Sequence, residues 1–182
     1  MAIDQLRMAV LASFMAALAA LGSYLFIPIG PVPIVLTNLF ILLGGLLLGS
    51  RWALGSVCLY LLIGVIGMPV FSGGRGGITP LLGPTGGYLA GYALSAWLTG
   101  LISERSGYRR VSDVVAVSIG ILAIYALGVP WLKAITHISW MKAMFIGVIP
   151  FLPGDAIKGA AAVMLARSIR PILGRQRFHQ LS

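Results

Sequence analysis

Hydrophobic positions run from residue 8 to residue 50 without a single charge, interrupted only by Ile27 Pro28 Ile29 Gly30 Pro31 Val32 Pro33. Three prolines in six positions cannot continue a helix. The pattern therefore predicts two helices, at about 8–27 and 34–49. After Arg51 a third apolar run, 52–68, stops just before Pro69, and further runs follow at about 85–103, 113–132 and 142–167. About 20 residues are needed to cross the hydrocarbon, so runs two and three are short and call for a locally thinned membrane or for ends buried in protein. The expectation is an all-α, polytopic membrane protein with six crossings in a single transmembrane domain over residues 1–182. A glycine-rich outer loop at 69–84 interrupts it.

Composition agrees with that reading. Hydrophobic residues fill 59% and charged residues 9% of 182 positions, and the mean hydropathy is +1.00, which excludes an ordinary soluble domain. The net charge of +9 does not point to nucleic acid, because the basic residues sit in short connections and form no stripe with interleaved aromatics. They sort by side instead. With a cytoplasmic amino terminus, Arg7, Arg51, Arg105, Arg109, Arg110, Arg167, Arg170, Arg175 and Arg177 fall inside, against Arg75, Lys133 and Lys142 outside. Nine against three is a positive-inside bias that predicts both termini in the cytoplasm. Trp131 and Trp140 then stand near the outer face and Trp52 and Tyr108 near the inner one, as interfacial belts do. The first apolar run is longer than a signal-peptide core and reads as a retained helix. Cys58, alone in an apolar run, excludes an intrachain disulfide and reads as a small core residue.

Against this background Phe151 Leu152 Pro153 Gly154 Asp155 Ala156 Ile157 Lys158 stands out, with an acid and a base one turn apart inside the sixth run. Each charge costs about 2.5 to 3.5 kcal/mol at the centre of a spanning helix, so such a residue is kept with a partner or a task. At i and i+3 the two share a helix face and can pair or be held apart for a ligand. Counting back from Arg167, Lys158 and Asp155 lie roughly 14 and 18 Å from the inner surface, at mid-depth or beyond. Pro150 and Pro153 predict that the sixth segment kinks or restarts just before them. A restart would set Asp155 beside free backbone N–H groups and a positive dipole end. Broken helices are tolerated at membrane depth where they line a cavity or are buried in protein, which places the pair at a pocket open to the outside.

The loop from Ser72 to Gly87 holds seven glycines and one charge, Arg75. Glycine at that density permits tight turns and close approach to a ligand. Ile78, Leu81 and Leu82 give the loop apolar surface to bury, which favours a cap over the cavity with Arg75 as an anion clamp, rather than a solvated linker. No GxxxxGK[ST] phosphate loop occurs. Ala12, Ala16 and Ala20, like Gly45 and Gly49 or Gly87 and Gly91, recur at the spacing that lets helices approach closely in lipid, and on physics alone this reads first as internal packing.

Four segments together resemble the BioY family, the biotin-specific substrate-binding (S) components of energy-coupling factor (ECF) transporters. They are Ile29 Gly30 Pro31 Val32 Pro33 Ile34, Ser72 Gly73 Gly74 Arg75 Gly76 Gly77, Leu82 Gly83 Pro84 Thr85 Gly86 Gly87 Tyr88, and the stretch from Phe151 to Lys158. The resemblance covers about residues 6–170. It implies a six-helix S-component fold and high-affinity capture of biotin from outside a prokaryotic cell. It also implies pairing in the cytoplasmic membrane with a transmembrane coupling subunit and two cytoplasmic ATPases. It further implies that Ala12, Ala16 and Ala20 form the surface that meets the coupling subunit.

Biotin's chemistry suits the residues. Its ureido ring has two N–H donors and one carbonyl acceptor, and a terminal carboxylate lies at the far end of an apolar ring and chain. Asp155 can accept from the ureido N–H groups, Asn38 can bond the ureido carbonyl, and Lys158 or Arg75 can pair the carboxylate. Alternatively, Lys158 orients Asp155 while Arg75 alone serves the carboxylate. Tyr88 can cover the rings, and Thr37 is the remaining candidate, standing where the family pattern has a longer glutamine. His137 and His179 lie far apart, no metal cluster or paired nucleophile is present, and no cofactor is expected. The competing readings are an S component for another small vitamin, an intramembrane enzyme using Asp155 and Lys158, and, weaker still, a channel.

Overall fold

The computed structural model describes residues 2–178, with side chains described over 3–173. The side chains of Arg175 and Arg177, and all of His179, lie outside the described residues. Among these residues the chain forms α1 (Ala2–Tyr24), β1 (Phe26–Ile27), β2 (Ile34–Val35), α2 (Thr37–Leu48), α3 (Ser50–Val65), α4 (Thr79–Leu82), α5 (Gly86–Arg105), α6 (Arg110–Thr136), α7 (Trp140–Gly147) and α8 (Leu152–Phe178).

Two boundaries differ from the hydropathy pattern for a backbone reason. The segment Pro28–Pro33 does more than stop a helix. It closes a small antiparallel hairpin in which Phe26 faces Val35 and Ile27 faces Ile34. Residues 26–27 and 34–35, expected at helix ends, are therefore strands, and among the described residues β structure is confined to this hairpin and the Phe71–Arg75 bridge. The restart expected within the sixth run is present: α7 and α8 meet at 47° across residues 148–151. Pro150 stands in the break and Pro153 at the second position of α8, where its missing N–H leaves no helical bond unmade.

Helices long and apolar enough to span a membrane are residues Ile3–Tyr24 and Arg110–Thr136, with α7 and α8 making a third if the bent pair is one span. Helices α2 and α3 are apolar but only 12 and 16 residues long. Helix α5 has the length, 20 residues, but its inward face carries Tyr88, Tyr92, Ser95, Thr99 and Ser103, all buried. Polar residues facing the bundle lower its hydropathy.

Helices α5 and α6 form a central hairpin, and α2 packs between α1, α5 and α8. Backbones come close where side chains are absent. A Cβ on Gly100 would lie 2.4 Å from the Ser50 nitrogen, so only glycine lets the α2–α3 corner sit on α5. The alanine stripe serves the same end. Ala12 and Ala16 are buried at 7% and 4% exposure in two separate core clusters, and Ala20 is partly buried against the cluster that holds Ala16. Cys58, expected as a small core residue, is exposed on α3.

Candidate ligand-binding site

Helix α8 restarts at Leu152, and the Asp155 amide donates to the Phe151 carbonyl (2.8 Å), which puts the Asp155 carboxylate in the first turn. There the helix dipole favours a negative charge. The carboxylate is 2% exposed and accepts three hydrogen bonds. Lys158 Nζ donates to Oδ1 at 2.9 Å, Asn38 Nδ2 to Oδ1 at 3.2 Å, and Tyr125 Oη to Oδ2 at 2.6 Å. Three elements thus converge on one carboxylate: α8, α2 and α6. Because a carboxylate only accepts, the amide of Asn38 must turn its NH2 group toward Asp155. Its Oδ1 is left buried without a hydrogen-bond partner among the described residues. That is an acceptor waiting for a donor, since an unmade hydrogen bond at a buried oxygen costs about 1 to 3 kcal/mol.

A narrow cavity of about 30 Å³ has in its wall Thr37, the residue before Asn38 on α2. Thr37, Arg75 and Tyr88 line it together with Tyr60 and Tyr92, and the hairpin contributes Val32 and Val35. Tyr88 fixes the α7 end by donating to the Gly147 carbonyl at 2.9 Å. The sequence-derived residues thus divide: Asn38, Asp155 and Lys158 form the hydrogen-bonded cluster, while Thr37, Arg75 and Tyr88 are on the cavity wall.

The glycine-rich segment covers the cavity. Phe71 and Arg75 bond each other's backbones across a turn in which Gly73 and Gly74 adopt φ of 73° and 70°, conformations costly for other residues. Phe71, 1% exposed, packs edge-on against Tyr60 with ring centres 5.6 Å apart, and it lies where a side chain on Gly64 would stand. The apolar anchors are Phe71 and the buried Pro80, because the expected Ile78 and Leu82 are 57% and 60% exposed and only Leu81 packs on the core. Ser23 and Tyr24 at the end of α1 fasten the same segment, bonding the Val70 and Pro69 carbonyls. Trp131 donates to the Gly83 carbonyl at 2.9 Å. Beyond the cover lies a second cavity of about 300 Å³, and Arg75, Pro80 and Thr85 line both. Arg75 therefore stands at the neck between them, with no side-chain hydrogen bond or ion pair among the described residues.

Sequence reasoning missed Tyr125, Tyr60 and Tyr92. A tyrosine in an apolar run was the available signal, yet nothing in the sequence says which hydroxyl reaches which charge. It also missed a second buried carboxylate. Asp113, wholly buried at the start of α6, takes both ends of the Arg170 guanidinium at 2.5 and 3.0 Å and a hydrogen bond from Ser103 at 2.6 Å. Arg170 also donates to the Leu46 carbonyl and stacks over Tyr108 at 4.7 Å, which joins α2, α5, α6 and α8 at the end opposite the cavity.

Comparison with known proteins follows from this geometry. The model of the BioY family matches residues 1–175. The chain is 36% identical over 160 residues to a probable biotin transporter BioY of Pyrococcus horikoshii, covering 88% of this chain and 94% of that protein. It is 39% identical over 168 residues to the biotin transporter BioY of Rhizobium etli, covering 87% and 89%. Among solved structures it is similar to the S-component for biotin from an ECF-type ABC transporter, with a TM-score of 0.88, 29% identity and 94% of each chain covered.

Proposed function

The chain belongs to the BioY family, and from that premise we propose that it captures biotin as the membrane-embedded substrate-binding component of an ATP-driven ECF transporter. It is a transporter subunit and not an enzyme. The observation that carries the reading is the unsatisfied, buried Oδ1 of Asn38, held in place by Asp155 and next in sequence to the cavity-lining Thr37. It calls for a ligand with an N–H donor. A ureido ring has two, plus a carbonyl that Lys158 Nζ, with one of its three donors committed to Asp155, is chemically able to bind.

The assignment of roles is thereby changed. Asp155 already accepts three hydrogen bonds and acts by orienting Asn38 and Lys158, while Asn38 accepts a ureido N–H instead of donating to the carbonyl. Arg75 at the neck takes the carboxylate, and Tyr88 and Tyr92 flank the rings. A volume of about 30 Å³ is too small for a bicyclic ligand, so capture requires the cover at 71–85 to open. The glycines of positive φ in the Phe71–Arg75 turn are suited to that movement.

The membrane arrangement completes the proposal. Helices α1, α2, α3, α5 and α6 and the bent α7–α8 pair make six crossings, with the cavity facing outward. Both termini lie on the cytoplasmic side of a prokaryotic cell membrane, where nine of the twelve basic residues outside the spans fall. A coupling subunit in the membrane and two cytoplasmic ATPases supply the energy, because the sequence contains no phosphate-binding loop. Equilibrium binding of labelled biotin to the purified full chain tests the function. Tight, saturable binding is expected, and biotin binding no tighter than millimolar alongside tight binding of another vitamin would overturn it.

A further inference from the structure

The acidic side chains of this protein are Asp4, Glu104, Asp113 and Asp155, and none of them stands at the entrance to the biotin cavity. Asp4 and Glu104 line a cavity at the opposite end of the bundle together with Arg170, the partner of Asp113. Asp155 is 2% exposed and neutralised by Lys158. The entrance holds cations instead. Arg75 lines both the narrow cavity and the chamber of about 300 Å³ outside it. Trp131 donates to the carbonyl of Gly83, which lines that outer chamber, and Lys133 follows two residues later in the last turn of α6. The Lys133 ammonium lies 5.0 Å from the ring centre of Trp140, and the exposed Lys142 stands in the first turn of α7. Three cations thus surround this end of the molecule with no carboxylate to offset them.

We infer that these charges steer an anionic ligand into the site: Lys133 and Lys142 set the rate of capture, while Arg75 also holds the carboxylate after entry. Membrane topology does not ask for this arrangement. The positive-inside rule disfavours Lys and Arg on the outer face and is nearly indifferent to acids, so it gives no reason for outer cations without compensating carboxylates. The ligand gives one. Biotin is an anion near neutral pH, and a mouth lined by one sign of charge with low-dielectric walls raises the local concentration of a ligand of the opposite sign. A unit charge roughly 15 Å from the path of entry changes the association rate about 1.5-fold in water at low salt. The effect fades as the Debye length shrinks from about 30 Å at 0.01 M to about 8 Å at 0.15 M ionic strength.

Rapid-mixing measurement of association and dissociation rates for biotin and its neutral carboxamide tests this, with the purified full chain in uncharged detergent at about 0.01 M and 0.15 M salt. At low salt biotin should associate about two- to threefold faster than the carboxamide, and the ratio should fall towards one at the higher salt. Lys142→Glu, a change of two unit charges, should slow biotin about twofold, and Lys133→Gln about 1.5-fold. Neither should alter biotin's dissociation rate or the carboxamide's association rate. Met141→Lys, at a position 81% exposed on α7, should instead speed biotin about 1.5-fold. Because steering rests on the biotin reading, the two ligands also separate the two failures. Equal rates for both ligands at low salt, rates indifferent to salt, or substitutions that slow both ligands alike would overturn steering and leave biotin as the ligand. Failure of both ligands to bind would overturn the biotin reading, and steering with it.

Discussion

Helix α8 takes part in two buried ion pairs, one within the helix and one with Asp113 of α6, that differ in what they leave undone. Asp113 and Arg170, near its far end, are saturated: the guanidinium meets both carboxylate oxygens and a helix-end carbonyl, and Ser103 fills the remaining position. Asp155 and Lys158, near its start, are bonded to each other, but their neighbour Asn38 keeps an unpartnered acceptor. The first pair stitches four helices together and has nothing to offer a ligand. The second is a polar surface held ready. A buried ion pair by itself therefore says little about function, and the residual hydrogen-bonding capacity around it distinguishes a site from a fastening.

Substitutions should separate the two. The largest effect is expected at the saturated pair. Arg170→Met leaves Asp113 charged, buried and unpaired and should destabilise the fold by about 3 to 5 kcal/mol, read as a lowered melting temperature in detergent. Biotin affinity of the folded fraction should stay unchanged. A variant that melts normally but no longer binds would erase the contrast. Asp155→Asn comes next, because it frees Asn38 and Lys158 together. It should weaken biotin binding by about 2 to 4 kcal/mol, and unchanged affinity would remove Asp155 from the site.

A smaller effect belongs to packing. Ala16→Trp should lower stability by about 1 to 3 kcal/mol by overfilling the α1 contact, whereas Trp at the neighbouring exposed Ala17 should not. Equal melting temperatures for the two variants would mean that the stripe is not internal. Tyr125→Phe removes one hydrogen bond to the carboxylate and should weaken biotin binding by about 1.5 kcal/mol while leaving the Asp113 pair untouched. Binding calorimetry of that variant beside Asp155→Asn ranks the two contributions, and a larger loss for the tyrosine would contradict the ordering.

Charge-free runs made most of the helices legible, because a lipid-facing helix must be apolar along its length. The prolines at 150 and 153 showed that the last segment breaks, and the charge next to them showed where the site begins. The hairpin was not legible. Its strands are two residues each, and its apolar residues extend the helical pattern on both sides. The alanine stripe was legible as a contact but not as to its partner, because close packing within a bundle and between proteins demands the same small residues. Asp113 was hidden by its position at a run boundary, where an acid in the first turn of a helix needs no further explanation. Asn38 was visible as a polar residue in an apolar run, but the direction of its amide depends on a carboxylate 117 residues away.

The central claim is that the ligand's ring lies at Asn38 and its carboxylate at Arg75. Calorimetric titration of biotin and of its neutral carboxamide into wild type, Asn38→Leu and Arg75→Ala tests it most directly. Arg75→Ala should weaken biotin and leave the carboxamide unaffected, whereas Asn38→Leu should weaken both ligands equally. If Arg75→Ala weakens the two ligands alike, or Asn38→Leu selectively weakens the acid, the ends are reversed and the account fails.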